Sequence, residues 1–329
     1  MATWGGRLAV VAALSAALAP VSLTAGCAGS IDQAHSVQTK LGRVDGVVEV
    51  EVTAATPDHG ARIGVVFTPE LAPRDVLVLV RAIAEVASEE DYPSYRLDLR
   101  EAESEQDLLV VDDSFDESPR AREVVDTWQR VGDALLGDVT FVFEPGSESI
   151  SVDAGGAFLH DIAEASRIRY GHPQTTTWQF TVDPSVFVLD GRVTATDLLL
   201  AQRVQRTVAS PNLVVPASTW RLERRADHVL LDLRPDFVDG PVPPRDLSVS
   251  RYGEDLELLV ETAVDAVHVT SRPIWLRLRQ ETPAGDDVFA WWVSDQRPVR
   301  GRDPLGRGWD GWLRSLGDAV LAGDRPGSG

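Results

Sequence analysis

Few residues in this chain have the type and spacing to do chemistry. Cys27 is the sole cysteine of 329 residues, so thiols can build neither a zinc cluster nor a disulfide framework. His160 and Glu164 stand four apart on a helix-patterned stretch, with Asp161 beside them. That spacing places two groups on one helix face. A catalytic metal needs further protein ligands, and none is in sight, so these read as solvent-facing polar residues. Asp112-Asp113-Ser114-Phe115-Asp116-Glu117 is the densest acidic run. It lacks the Gly and the spaced terminal Glu of a calcium-binding loop and reads as a solvated linker. His35, His59, His172, His228 and His268 have no partners at useful spacing. There is no G-x-S-x-G elbow, H-E-x-x-H, P-loop or G-x-G-x-x-G. No cofactor, metal or catalytic residue is expected; a triad assembled from distant parts is the one catalytic route the sequence leaves open.

The N-terminal stretch says more. Its first seven residues carry Arg7 and no acid; Leu8 to Ala19 is uncharged and rich in Ala, Val and Leu; Pro20 breaks the run and small residues lead into Cys27. This is the layout of a secretory signal peptide over residues 1–26, with an apolar core shorter than the roughly 20 residues of a membrane-spanning helix. Ala25-Gly26-Cys27 resembles the lipobox of bacterial lipoproteins, although Thr24 stands where that family usually has Leu, with Leu23 one position earlier. The resemblance implies diacylation of the Cys27 thiol and cleavage after Gly26. Two acyl chains give the stable anchoring that one chain does not. The alternatives are a plain secretory peptide with an incidental cysteine and an uncleaved anchor.

The remaining chain is acidic. The formal charge is −20, from 31 basic and 51 acidic residues, and removing the leader takes away one arginine and no acid. Such a body repels nucleic acid and anionic lipid, which excludes a nucleic-acid partner. Lys40 is the only lysine, a bias that resembles proteins of high-GC Gram-positive bacteria. There, such lipoproteins sit on the outer face of the plasma membrane.

The elements that must position any site follow from periodicity. A helix from Ser30 to about Leu41 precedes alternating strands at Val48/Val50/Val52 and Ile63/Val65/Phe67. Pro73 opens a helix carrying Val76, Leu79, Val80 and Ile83, and strands at Tyr95/Leu97/Leu99 and Leu108 to Val111 follow. The order recurs from Ser118-Pro119 and again from about Thr196, the last unit including a short strand at Leu247/Val249. The expectation is α+β: tandem small modules, each an antiparallel-rich sheet with two helices on one face. The expected domains are a lipidated N-terminus with module 1 over 27–113, module 2 over 114–191, module 3 over 192–296, and a C-terminal helix and tail over 297–329. This element order is similar to BON domains and to ring-building modules of secretion systems. No residue motif of either family is present. One large α+β fold is the alternative.

Five of the nine tryptophans, Trp275, Trp291, Trp292, Trp309 and Trp312, fall at the C-terminal end. Adjacent strand residues point to opposite faces, so Trp291 and Trp292 must part. The outward one is either capped by the helix from Leu305 to about Leu321 or offered to a partner; both are candidate partner-binding residues. The functional expectation is a membrane-anchored extracytoplasmic lipoprotein that binds or scaffolds an envelope protein or cell-wall component without catalysis. The alternatives are an envelope hydrolase with a site at a module boundary and, lower, a solute-binding lipoprotein.

Overall fold

The computed structural model describes residues 24–295 and 308–323, apart from positions 70, 103, 209, 238–239, 241, 244–245 and 283–284. The apolar run expected at Leu8 to Ala19 and most of the stretch expected between the last strand and the C-terminal helix, residues 296–307, lie outside the described residues.

One motif is repeated six times: a β-hairpin followed by a helix. β1 (Val47–Thr53) and β2 (Ala61–Phe67) form the first hairpin, and α2 (Pro73–Glu89) crosses to β3 (Tyr95–Glu101). β3 runs parallel to β2 and turns back into β4 (Ser104–Asp112). The same step then repeats through α3 (Ala121–Ala134), β5 (Asp138–Glu144) and β6 (Ser147–Asp153), and through α4 (Phe158–Ala165), β7 (Thr176–Val182) and β8 (Ser185–Asp190). It continues through α5 (Ala195–Val208), β9 (Ala217–Arg224) and β10 (Val229–Pro235) to α6 (Val249–His268), β11 (Ile274–Thr282) and β12 (Gly285–Val293). α1 (Thr24–Leu41) precedes the array and α7 (Trp309–Ala322) closes it. Among the described residues, the twelve strands lie in one mixed sheet in chain order.

Register makes the two faces of this sheet unequal. Val65, Leu99, Leu109, Phe141, Ile150, Trp178 and Leu189 occupy successive paired positions from β2 to β8, and all are buried. The next row along, on the opposite face, reads Glu51, Gly64, Asp98, Val110, Val142, Ser149, Thr177 and Asp190. Each helix lays its apolar stripe on the first face. In α2 that stripe is Val76, Leu79, Val80, Ile83 and Ala87, behind Pro73 at the helix start and Asp75 in its first turn. The hydrophobic core is therefore one continuous slab between sheet and helices. The helices on one face leave the other face open.

This arrangement has a topological consequence. Successive crossovers leave from strands of opposite direction, because a hairpin intervenes, yet all step the same way across the sheet and lay their helices on one face. Their hands must then alternate, so every second crossover departs from the right-handed norm.

The ends are plugged. Gln38 of α1 donates its Nε2 to the Val50 carbonyl of terminal strand β1 at 2.9 Å. Asp310 of α7 accepts the Trp291 amide of terminal strand β12 at 2.9 Å. Side chains thus occupy main-chain groups of both terminal strands, a device that blunts edge-to-edge pairing.

The α+β class expected from the sequence is present. The sheet runs without a break through both expected boundaries: β4 pairs with β5 across 113/114, and β8 with β9 across 191/192. The acidic run at the first boundary is no free linker, because Phe115 is buried edge-on to Phe143 at 5.5 Å and Asp112 holds the Ser114 amide and hydroxyl. The strand expected at Leu247/Val249 is absent; Val249 opens α6.

Candidate functional site

Most carboxylates on the covered face are used internally. Asp161, expected to face solvent, is fully buried and accepts the amides of Leu136 and Gly137 at 2.9 and 3.2 Å, which ties α4 to the entry of β5. Burial pushes its carboxyl up against the pull of those two amides. Glu164 pairs with Arg167, and His160 is exposed, so the helix-spaced trio splits three ways. Asp197 accepts the Thr194 amide and hydroxyl and takes Arg224 in a forked pair, Nε at 2.8 Å and Nη2 at 3.2 Å. Buried Glu148 and Thr176 and half-buried Arg120 form a further set. Among the described residues, no group of three or more His, Cys, Asp or Glu converges to hold a metal.

The open face has three zones. At the β1–β3 end, Asp98 is buried between Arg62 and Arg96, the latter reaching it at 2.7 Å. A depression of about 180 Å³ opens there among Glu49, Glu51, Arg62, Asp98 and Arg100. Across β5–β7 the rows carry Thr140, Ser149, Ser151, Thr177 and Gln179, which are half-buried and uncharged.

The β9–β12 end is dense in charge and rings. Asp232 on β10 is 4% exposed and faces Arg221 on one neighbouring strand and Arg277 on the other. Arg279 reaches it through Nε at 2.7 Å and Nη2 at 2.6 Å, and Arg277 through Nη2 at 2.7 Å. Burial pushes the Asp232 carboxyl up, and the two guanidiniums offset only part of that. Burial works the same way on Glu223, but Arg221 and Arg225 more than offset it and leave that carboxyl below the usual range. Arg225 also reaches Asp190 at 2.8 Å, and Arg234 pairs with Glu281. Beside this network His228 stacks on Trp275 at 4.0 Å, Trp275 meets Trp291 at 6.1 Å, and Arg277 lies over the Trp291 ring at 5.9 Å.

The two adjacent tryptophans part as alternation requires. Trp292 is fully buried on the covered face under α7, with its Nε1 donating to Asp318 at 3.2 Å. It has no surface to offer a partner. Trp291 is half-buried on the open face. α7 buries its own Trp309 edge-on to Phe289. Cys27 lies within α1. Among the described residues no helix is long and apolar enough to cross a membrane.

Sequence reasoning singled out Trp291 but missed Asp232, Arg221, Arg277 and Arg279. Arg277 and Arg279 alternate with Ile274, Leu276 and Leu278, which is a visible signal for a polar face. Their convergence on Asp232 depends on a parallel pairing with β10 that one strand's pattern does not reveal.

No protein-family model matches the chain, and neither a curated protein nor a solved structure matches it.

Proposed function

We propose that this protein is an extracytoplasmic lipoprotein, anchored to the outer face of the plasma membrane through an acylated Cys27. It binds or scaffolds a component of the cell envelope through the open face of its sheet, without catalysis. The observation that carries the binding reading is the inequality of the faces. Twelve strands share one helix-covered side, while the other side is graded from charged to uncharged to charged. A fold that needed only stability has no use for that gradation, whereas a broad recognition surface does. The anchor reading rests on the Arg7, Leu8–Ala19 and Ala25-Gly26-Cys27 pattern.

The finer architecture belongs to the same proposal. Pairs of consecutive hairpin–helix repeats follow the α-β-β-α-β-β order of three tandem modules, fused edge to edge, with the likeness in element order to BON and ring-building modules retained at that level.

Two measurements test this reading. Cys27→Ala should abolish incorporation of labelled palmitate and release the body from membranes; unchanged labelling and retention would remove the anchor. A photo-crosslinking residue at Thr140 or Gln179 should give discrete adducts in intact cells, while one at Arg130 on α3 should not. Equal labelling from both sides would sink the open-face reading.

A further inference from the structure

We propose that the β9–β12 end of the open face binds an oxyanion: a phosphate or carboxylate group carried on a larger ligand. This deepens the open-face binding reading and rests on it.

The first argument is charge. In a chain of net charge −20, Arg221, Arg234, Arg277 and Arg279 gather on three neighbouring strands, with Arg225 just past the end of β9. A depression of about 210 Å³ opens there, lined by three of these guanidiniums, Arg221, Arg234 and Arg279, against the single carboxylate of Asp232. Glu281, which pairs with Arg234, is 53% exposed, and an exposed pair contributes little and exchanges readily. Glu223, which takes one donor of Arg221, is better buried but is shared with Arg225. Each guanidinium has five N–H donors, and on Arg221, Arg234 and Arg279 the pairs described use one or two of them.

The second argument is preorganisation. The Asp232 side chain is 3% exposed and fixes Arg277 and Arg279, so these two arginines do not have to be ordered when a ligand arrives. Arginine's planar fork matches phosphate and carboxylate geometry, which a lysine would not. Pro184 and Val186 form one wall of the depression and the Thr219 hydroxyl adds a neutral donor. A bare phosphate would leave most of this volume empty. Trp291 and Trp275 continue the same face and give an apolar shelf for the uncharged part of the ligand.

Asp232 is then the site's internal competitor, which separates this proposal from a purely structural ion cluster. Calorimetric titration of the full chain at low ionic strength, with inorganic phosphate and with glucuronate as probes, tests it. At least one probe should bind. Arg221→Gln and Arg234→Gln should each weaken it about tenfold, the scale of one charge-assisted hydrogen bond. Asp232→Asn should strengthen it by freeing donors on Arg277 and Arg279, and Arg62→Gln at the far end should change nothing. Preference for phosphate assigns a phosphoryl ligand and preference for glucuronate a carboxylate one. If neither probe binds, or if binding survives both Arg221→Gln and Arg234→Gln, the site does not exist. The Arg arms decide the matter even if Asp232→Asn fails to fold. Crosslinks from Thr140 and Gln179 read the face independently of these arginines, so the two failures are distinguishable.

Discussion

The two faces of the same twelve strands obey different rules. On the covered face, paired positions across the sheet are mostly aliphatic or aromatic, and buried charges such as Asp197 and Arg224 are paired. On the open face, one residue along each strand, arginines and carboxylates gather at the ends and hydroxyls and amides in the middle. Both faces share a backbone and a register, so strand propensity cannot account for the contrast. Burial against helices explains the first composition. Exposure to water permits the second, and its zoning is the feature on which the proposed binding role rests.

The contrast breaks most plainly at the adjacent tryptophans. Trp292→Ala removes a fully buried indole from under α7 and should cost about 3–5 kcal/mol, read as a large drop in melting temperature. A small effect would show that α7 does not seal the covered face. A methyl group should act in the same place. A Cβ on Gly317 would lie 2.6 Å from the Trp292 ring, and that ring is held by its bond to Asp318. Gly317→Ala should therefore cost about 1–3 kcal/mol by overpacking. If it melts like the wild type, the helix does not sit that close.

Titration sharpens the same line. Tyr95 points to the covered face, and burial, with repulsion from Asp113 and Asp116, pushes its phenol up to about 12. The folded state thus keeps a proton that the unfolded chain releases near the ordinary value of 10.0. Its contribution to stability is intact below that value and is lost as pH climbs from there towards about 12. Denaturant midpoints measured through this range should fall, and Tyr95→Phe should flatten the part of the fall that Tyr95 causes. An identical slope in the variant would place the phenol in water.

The edge is the boundary between the two regimes. Asp310→Ala leaves the Trp291 amide without its acceptor, a loss of about 1 kcal/mol. It also uncovers a strand edge, so dimers or larger species should appear on size-exclusion chromatography as concentration rises. A strictly monomeric variant would show that the plug is incidental.

Much of the covered face was legible in the sequence. Ile63/Val65/Phe67 and Tyr95/Leu97/Leu99 alternate because one side of each strand is buried, and Val76, Leu79, Val80 and Ile83 recur at helical spacing for the same reason. What could not be read was how the units join. The parallel pairings β4–β5 and β8–β9 carry the sheet across boundaries where local pattern suggests a stop. The alternating crossover hands run against the usual rule, so a rule-based reading closes a module where the chain continues. The Asp112–Glu117 run misled because its acids are conspicuous while the residue that anchors it, Phe115, is a single buried ring. On the open face Trp291 was visible through its adjacency to Trp292, and the alternation of Arg277 and Arg279 marked a polar side; their convergence on Asp232 is a contact between strands more than 40 residues apart, and composition carries no trace of it.

The smallest effect on stability belongs to the middle of the open face. Gln179 lies on β7 between Ser151 and Val188 in register, half-buried, among uncharged neighbours. If hydroxyls and amides are there for recognition, removing one should barely disturb the fold. Gln179→Ala should change unfolding free energy by no more than about 0.5 kcal/mol, well under the loss expected at Trp292. The same substitution should weaken crosslinking from a probe at Thr140, on β5 of the same face. A loss of more than about 1 kcal/mol would show that the middle of the open face is held by its own side-chain packing, and the difference between the faces would then be one of degree. Near-neutral stability with unchanged crosslinking would move recognition to the charged ends, where Arg221 and Arg234 stand.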